Sequence, residues 1–137
     1  MDTWAWLGAV FEQDQWHDVA KLHLTKLYME GAEFVTSNAV LHEVAENSRR
    51  RYHHYGSLQV LDRIAQAQVD GELTVLCSDA QLEASALDIY RQFDDQDVSL
   101  TDCLSFAIMR AEHISRVLTG DRHFLLLGFD IIPGIHP

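Results

Sequence analysis

The sequence is poor in the residues that staple or punctuate a chain. Proline occurs only at positions 133 and 137 of 137 residues, so no proline breaks a helix or removes a ladder donor before the last few residues. The two cysteines, Cys77 and Cys103, are too few and too widely spaced for a disulfide framework or a zinc site. Each lies in an apolar stretch (73–77 and 103–109), where a reduced core thiol is expected. No apolar run approaches the roughly 18 residues of a membrane-crossing helix. No basic segment followed by an apolar one opens the chain, so no export signal is read and a cytoplasmic protein is expected. Cations are scarce too: 10 Lys and Arg stand against 21 Asp and Glu, a formal charge of −11. That balance argues against a broad basic face for nucleic acid. It leaves two readings: an acidic solvated surface, or carboxylates gathered around cations that reverse the local field.

What the chain has is hydrophobic content and alternation. Hydrophobic residues make up 47% of it, enough for a core, and no repeat or linker divides it, so residues 1–137 are read as one domain. Apolar periodicity predicts helices over 3–11, 16–30, 38–52, 57–70, 79–93 and 99–113, with a short helix opening at Asp121. Strands are expected at 34–36, 73–77, 116–119 and 129–132. Strands alternating with helices imply an α/β fold, a parallel sheet flanked by helices in three layers. The helix over 99–113 is apolar nearly all round, which marks a buried helix.

In such a sheet ligands sit beyond the carboxyl ends of the strands, so the acids that come after strands or open helices there are the candidates. Asp121 comes after the strand at 116–119 and Gly120; a helix N-cap is its plain alternative role. Asp102 stands three residues after Ser99, the spacing of a capping box, and opens the buried helix, where a charge needs a partner. Glu43 borders the apolar stripe of Val40, Leu41 and Val44, whereas Glu46 points to the other side as a solvated acid. Asp2 is by itself an unremarkable terminal acid. None of the four decides the matter alone. Together they form an oxygen-rich set suited to Mg²⁺, and two such ions can activate a water and stabilise the leaving oxygen of a phosphodiester.

These segments resemble the motifs of PIN domains. Val35-Thr36-Ser37-Asn38-Ala39-Val40-Leu41-His42-Glu43-Val44 resembles the second acidic motif of that family. Ser99-Leu100-Thr101-Asp102-Cys103-Leu104-Ser105-Phe106 resembles the third, and Leu118-Thr119-Gly120-Asp121-Arg122-His123-Phe124 the fourth. Asp2-Thr3-Trp4-Ala5-Trp6-Leu7 resembles the segment just after the family's first strand. The resemblance implies a PIN fold and a Mg²⁺- or Mn²⁺-dependent endoribonuclease, with metal-ligand roles for Asp2, Glu43, Asp102 and Asp121. It is nearest in style to VapC-type toxins of type II toxin–antitoxin pairs, which implies an RNA substrate, a homodimer and an antitoxin whose basic tail suits an acidic pocket. One departure stands out. The family places a central apolar strand directly before the first Asp, and here only Met1 precedes Asp2. Either the true start lies upstream of Met1, which is the favoured reading, or the first strand is missing or truncated, in which case an open slot in the sheet is the expectation.

Other residues have two roles open. Arg49, Arg50 and Arg51, followed by Tyr52, form the one basic cluster; they suit RNA phosphates or a helix C-terminus where cations complement the dipole. Thr3 and Thr119 suit ligand positioning or a core or capping role, Asn38 site orientation or, favoured, a helix cap, His123 a catalytic base or, favoured, a packing or edge role, and Trp4, Trp6 and Trp16 core or dimer surface rather than a base platform. A non-catalytic PIN scaffold that binds a basic peptide is the competing function. A phosphoacceptor receiver domain is poor, because the only lysines, Lys21 and Lys26, come too early.

Overall fold

In a computed structural model, residues 1–134 are described. The elements run α1 (Thr3–Val10), α2 (His17–Met29), β1 (Phe34–Ser37), α3 (Asn38–Val69), β2 (Leu73–Leu76), α4 (Ala80–Gln92), α5 (Leu100–Ala111), β3 (Arg116–Leu118), a 3₁₀ helix (Arg122–Leu127) and β4 (Asp130–Ile132). Strands and helices alternate as the periodicity predicts. Helix boundaries obey local chemistry. Ser37 caps α3 by accepting the Val40 N–H, and Asp79 caps α4 through the Leu82 N–H. Ser99 and Asp102 form a full capping box at α5. Such caps each stabilise by about 1 kcal/mol.

Three expectations are corrected. The single parallel sheet is instead two parallel pairs, β1 with β2 and β3 with β4, because no strand among the described residues pairs with both β1 and β3. The two helices expected over 38–52 and 57–70 are present as the two parts of α3, which kinks at Tyr52 and His53, where His53 takes φ 63° and ψ −174°. Asn38 is not the cap of α3, because Ser37 already fills that place; its side-chain oxygen accepts the Ser78 N–H at 3.2 Å and ties α3 to the end of β2. Cys77 is exposed, beyond the end of β2, while Cys103 is buried.

Two cores hold the halves. One packs α4, α5, β3, β4 and the 3₁₀ helix around Phe106, Phe124 and Phe129, with Phe106 meeting Phe124 edge-on at 4.8 Å. The other packs α1, α3 and β2 around Trp6, Leu7, Phe11, Val44, Val60 and Ile64. The chain start joins them. The Met1 ammonium donates to Val35 O at 2.6 Å, and the Asp2 N–H donates to Leu118 O at 3.1 Å. One dipeptide thus touches β1 on one side and β3 on the other, and brings the carboxyl ends of both strands to one place. Among the described residues no helix is long and apolar enough to cross a membrane.

Candidate active site

Beyond those strand ends lies a pocket of about 560 Å³ lined by Asp2, Glu43, Asp102 and Asp121, the four acids singled out in the sequence. Each arrives by a different route. Glu43 stands on the second turn of α3, just past β1; Asp102 sits in the first turn of α5; Asp121 comes after β3 through Thr119 and Gly120; and Asp2 hangs from the dipeptide between the strands.

The four carboxylates share one pattern: each has an oxygen engaged by protein donors. Thr3 Oγ1 donates to Glu43 Oε1 at 2.5 Å. Thr119 Oγ1 donates to Asp2 Oδ2 at 2.6 Å. The Ser99 N–H donates to Asp102 Oδ2 at 3.1 Å, and the His123 N–H donates to Asp121 Oδ1 at 2.9 Å, with His123 Nδ1 at 2.6 Å from the same oxygen. The second oxygen of each makes no hydrogen bond among the described residues, and that of Asp2 is buried as well. A buried acceptor without a donor is costly. The same crowding shows in the acidities. Burial raises Asp2, Glu43 and Asp102 above the ordinary carboxylate range, Asp102 to about 6, and the Asp2 charge adds to the rise at both Glu43 and Asp102. Burial also pushes the Met1 α-ammonium down to about 6.

The donor set decides the fit to divalent cations. Among the described residues no three Asp, Glu, His or Cys side chains form a group that could hold one ion by themselves. Spare carboxylate oxygens around an open pocket suit instead a hard cation that retains several of its waters, as Mg²⁺ does. A cation there relieves both the orphaned oxygen of Asp2 and the repulsion among the acids.

The basic cluster is divided. Arg50 and Arg51 line the pocket, with Arg51 held 3.4 Å from Asp14 and Arg50 bonded to Asn47. Arg49 does not line it and contacts His54 instead. Asn47 and Asp97 also line the pocket and were not singled out in the sequence. Asn47 had a signal, standing four residues after Glu43 on the same helix face; Asp97, in the loop before α5, had none. Trp4 packs against Gly120, where a Cβ would lie 2.7 Å from the indole ring, so only glycine lets Asp121 approach. Trp6 is core, and Trp16, half exposed, stands beside Trp4 at 6.3 Å.

The family model described as the PIN domain matches residues 1–130. Among solved structures the chain is similar to the crystal structure of Mycobacterium tuberculosis VapC20, a Sarcin-Ricin loop cleaving toxin. That likeness has 27% identity and a TM-score of 0.79 over 93% of each chain. No curated protein matches. With the family match running from Met1 to Asp130 and the fold shared over nearly the whole length, the chain belongs to the PIN domain family.

Proposed function

We propose that the chain is an endoribonuclease, the toxin of a type II toxin–antitoxin pair, and that it cuts RNA with Mg²⁺ or Mn²⁺ held by Asp2, Glu43, Asp102 and Asp121. The observation that carries this reading is the set of four spare carboxylate oxygens around one pocket shared with Arg50 and Arg51. The cations supply an activated water and charge neutralisation for the leaving oxygen. The chain does the rest. Thr3, Thr119, Ser99 and His123 fix one oxygen of each acid and so aim the other. Arg50 and Arg51 sit where a phosphate enters, and Arg51 is steadied by Asp14.

An acidic pocket with exposed arginines also suits a basic antitoxin tail in competition with RNA. Membership of the family and the likeness to a toxin support a cytoplasmic homodimer neutralised by such a partner. The experiment is cleavage of structured RNA with Mn²⁺. Asp102→Asn and Asp121→Asn each lower the rate by at least about a hundredfold with the fold kept, read by circular dichroism. Intact RNA with the purified protein, or Asn variants as active as the parent, overturns the assignment.

A second reading, a non-catalytic scaffold binding a basic peptide, draws on the lack of a three-ligand group among the described residues. Calorimetric titration with Mn²⁺ separates the two: binding that disappears in Asp121→Asn favours the nuclease.

A further inference from the structure

Trp6 is core at 6% exposure, whereas Trp16 keeps 46% of its surface in solvent. A single exposed apolar side chain is ordinary, so its neighbours decide what it means. Trp16 stands beside Trp4, which lines the acid pocket. The two rings lie 6.3 Å apart and tilted by 47°, so they do not close on each other as a parallel stack. One carboxylate ties this aromatic edge to a cation. Asp14, in the turn between α1 and α2, accepts the Trp16 N–H on Oδ1 at 2.8 Å and holds Arg51 Nη1 at 3.4 Å from Oδ2. The Asp14 side chain is only 7% exposed and that of Arg51 58%, so the anchor is covered and the cation is presented. The turn is itself held to α3, because Phe11 stacks on Tyr52 at 4.0 Å and accepts the Asp14 N–H at 3.0 Å. An exposed indole and a pocket-lining arginine thus share one fixed anchor.

We propose that Trp16, with Trp4 behind it, seats an unpaired RNA base whose adjoining phosphate meets Arg51. The subsite rests on the nuclease assignment for its ligand class and deepens it: the substrate is single-stranded at this edge. Bases within a duplex stack on one another, and only splayed bases reach an aromatic side chain. Aromatic faces beside cations are the combination that holds single strands, and such faces accept any base. The phosphate contact fixes the position of the strand, and the indole takes the base next to it. A basic peptide at the same edge would face Arg51 as a like charge.

The test is equilibrium binding to the Asp102→Asn chain, whose cleavage is slowed, with Mn²⁺ present. The probes are a dye-labelled single-stranded hexaribonucleotide and the same backbone without bases, read by anisotropy. Trp16→Ala weakens the hexamer by at least about fivefold and leaves the abasic strand unchanged. Arg51→Ala weakens both and lowers the slope of log affinity against log salt by about 0.7. The hexamer quenches tryptophan emission and the abasic strand does not. Should Trp16→Ala fail to fold, Trp16→Leu, which keeps apolar bulk without the aromatic face, decides in its place. A hexamer bound no tighter than the abasic strand, or bound equally by the Trp16 variant, overturns the seat. So does an equal loss on both strands, a loss confined to a tetra-arginine peptide, or a dimer of the free chain that already shields Trp16 from acrylamide. Binding rather than cleavage is read, so an active nuclease can lack the seat and an inactive chain can keep it.

Discussion

The two halves of the molecule meet the pocket on different terms. The half built on β3 and β4 supplies Asp102 and Asp121 from a core in which Phe106, Phe124 and Phe129 contact one another and Phe106 and Phe124 are wholly buried. The half built on β1 and β2 supplies Glu43, Arg50 and Arg51 from a helix broken one residue past Arg51, where His53 lies at positive φ. One side is a densely packed platform, while the other carries its pocket-lining arginines beside a strained joint. A single pocket thus draws two of its acids from dense packing and its cationic residues from beside a break in the helix.

Three measurements put this contrast at risk. The largest effect falls on the platform: Phe106→Ala lowers unfolding free energy by about 3–5 kcal/mol, read by urea titration. A loss below about 2 kcal/mol, in the range of milder core truncations, would remove the contrast between the halves.

The second concerns acidity in metal-free protein. Asp102 titrates at about 6 when folded, against 3.8 as its ordinary value. The folded state therefore binds the extra proton, and this stabilisation, full below about 4, is lost as pH rises toward 6. The Met1 ammonium, lowered to about 6 from 8.0, acts in the opposite sense, and its destabilisation eases as pH rises from 6 to 8. Burial raises Asp2 and Glu43 in the same sense as Asp102, so stability with a chelator present falls as pH rises from about 4 to 6. Asp102→Asn lessens that fall without abolishing it, and a curve unchanged by that variant contradicts the shift.

The smallest effect is at the joint. His53→Gly relieves the positive φ and raises stability by about 1 kcal/mol. A lowered Tm would mean that the His53 side chain outweighs the strain.

Much of this arrangement was legible in the sequence because it is periodic or local. Apolar spacing located the helices and strands, and the Ser99 to Asp102 interval announced a capping box that is present. The four acids stand just past strands or at helix starts, places that local pattern reveals, and they do line one pocket. The features that escaped are non-local. Nothing near Asn38 says that Ser78 lies 40 residues away to receive its side chain. Cys77 reads as core from its apolar neighbours, yet the strand ends one residue before it and leaves it exposed.

The Thr119 hydroxyl bears on how the molecule is made. It donates to Asp2 and accepts from the Asp121 N–H at 3.0 Å, and it lies 117 positions downstream of the carboxylate it orients. A ribosome delivers Asp2 well before Thr119. Contacts of such separation close late, since the intervening loop must lose its entropy before any bond rewards it. The pocket's contact between Thr119 and Asp2 therefore forms only after the 117 positions that separate them have been made.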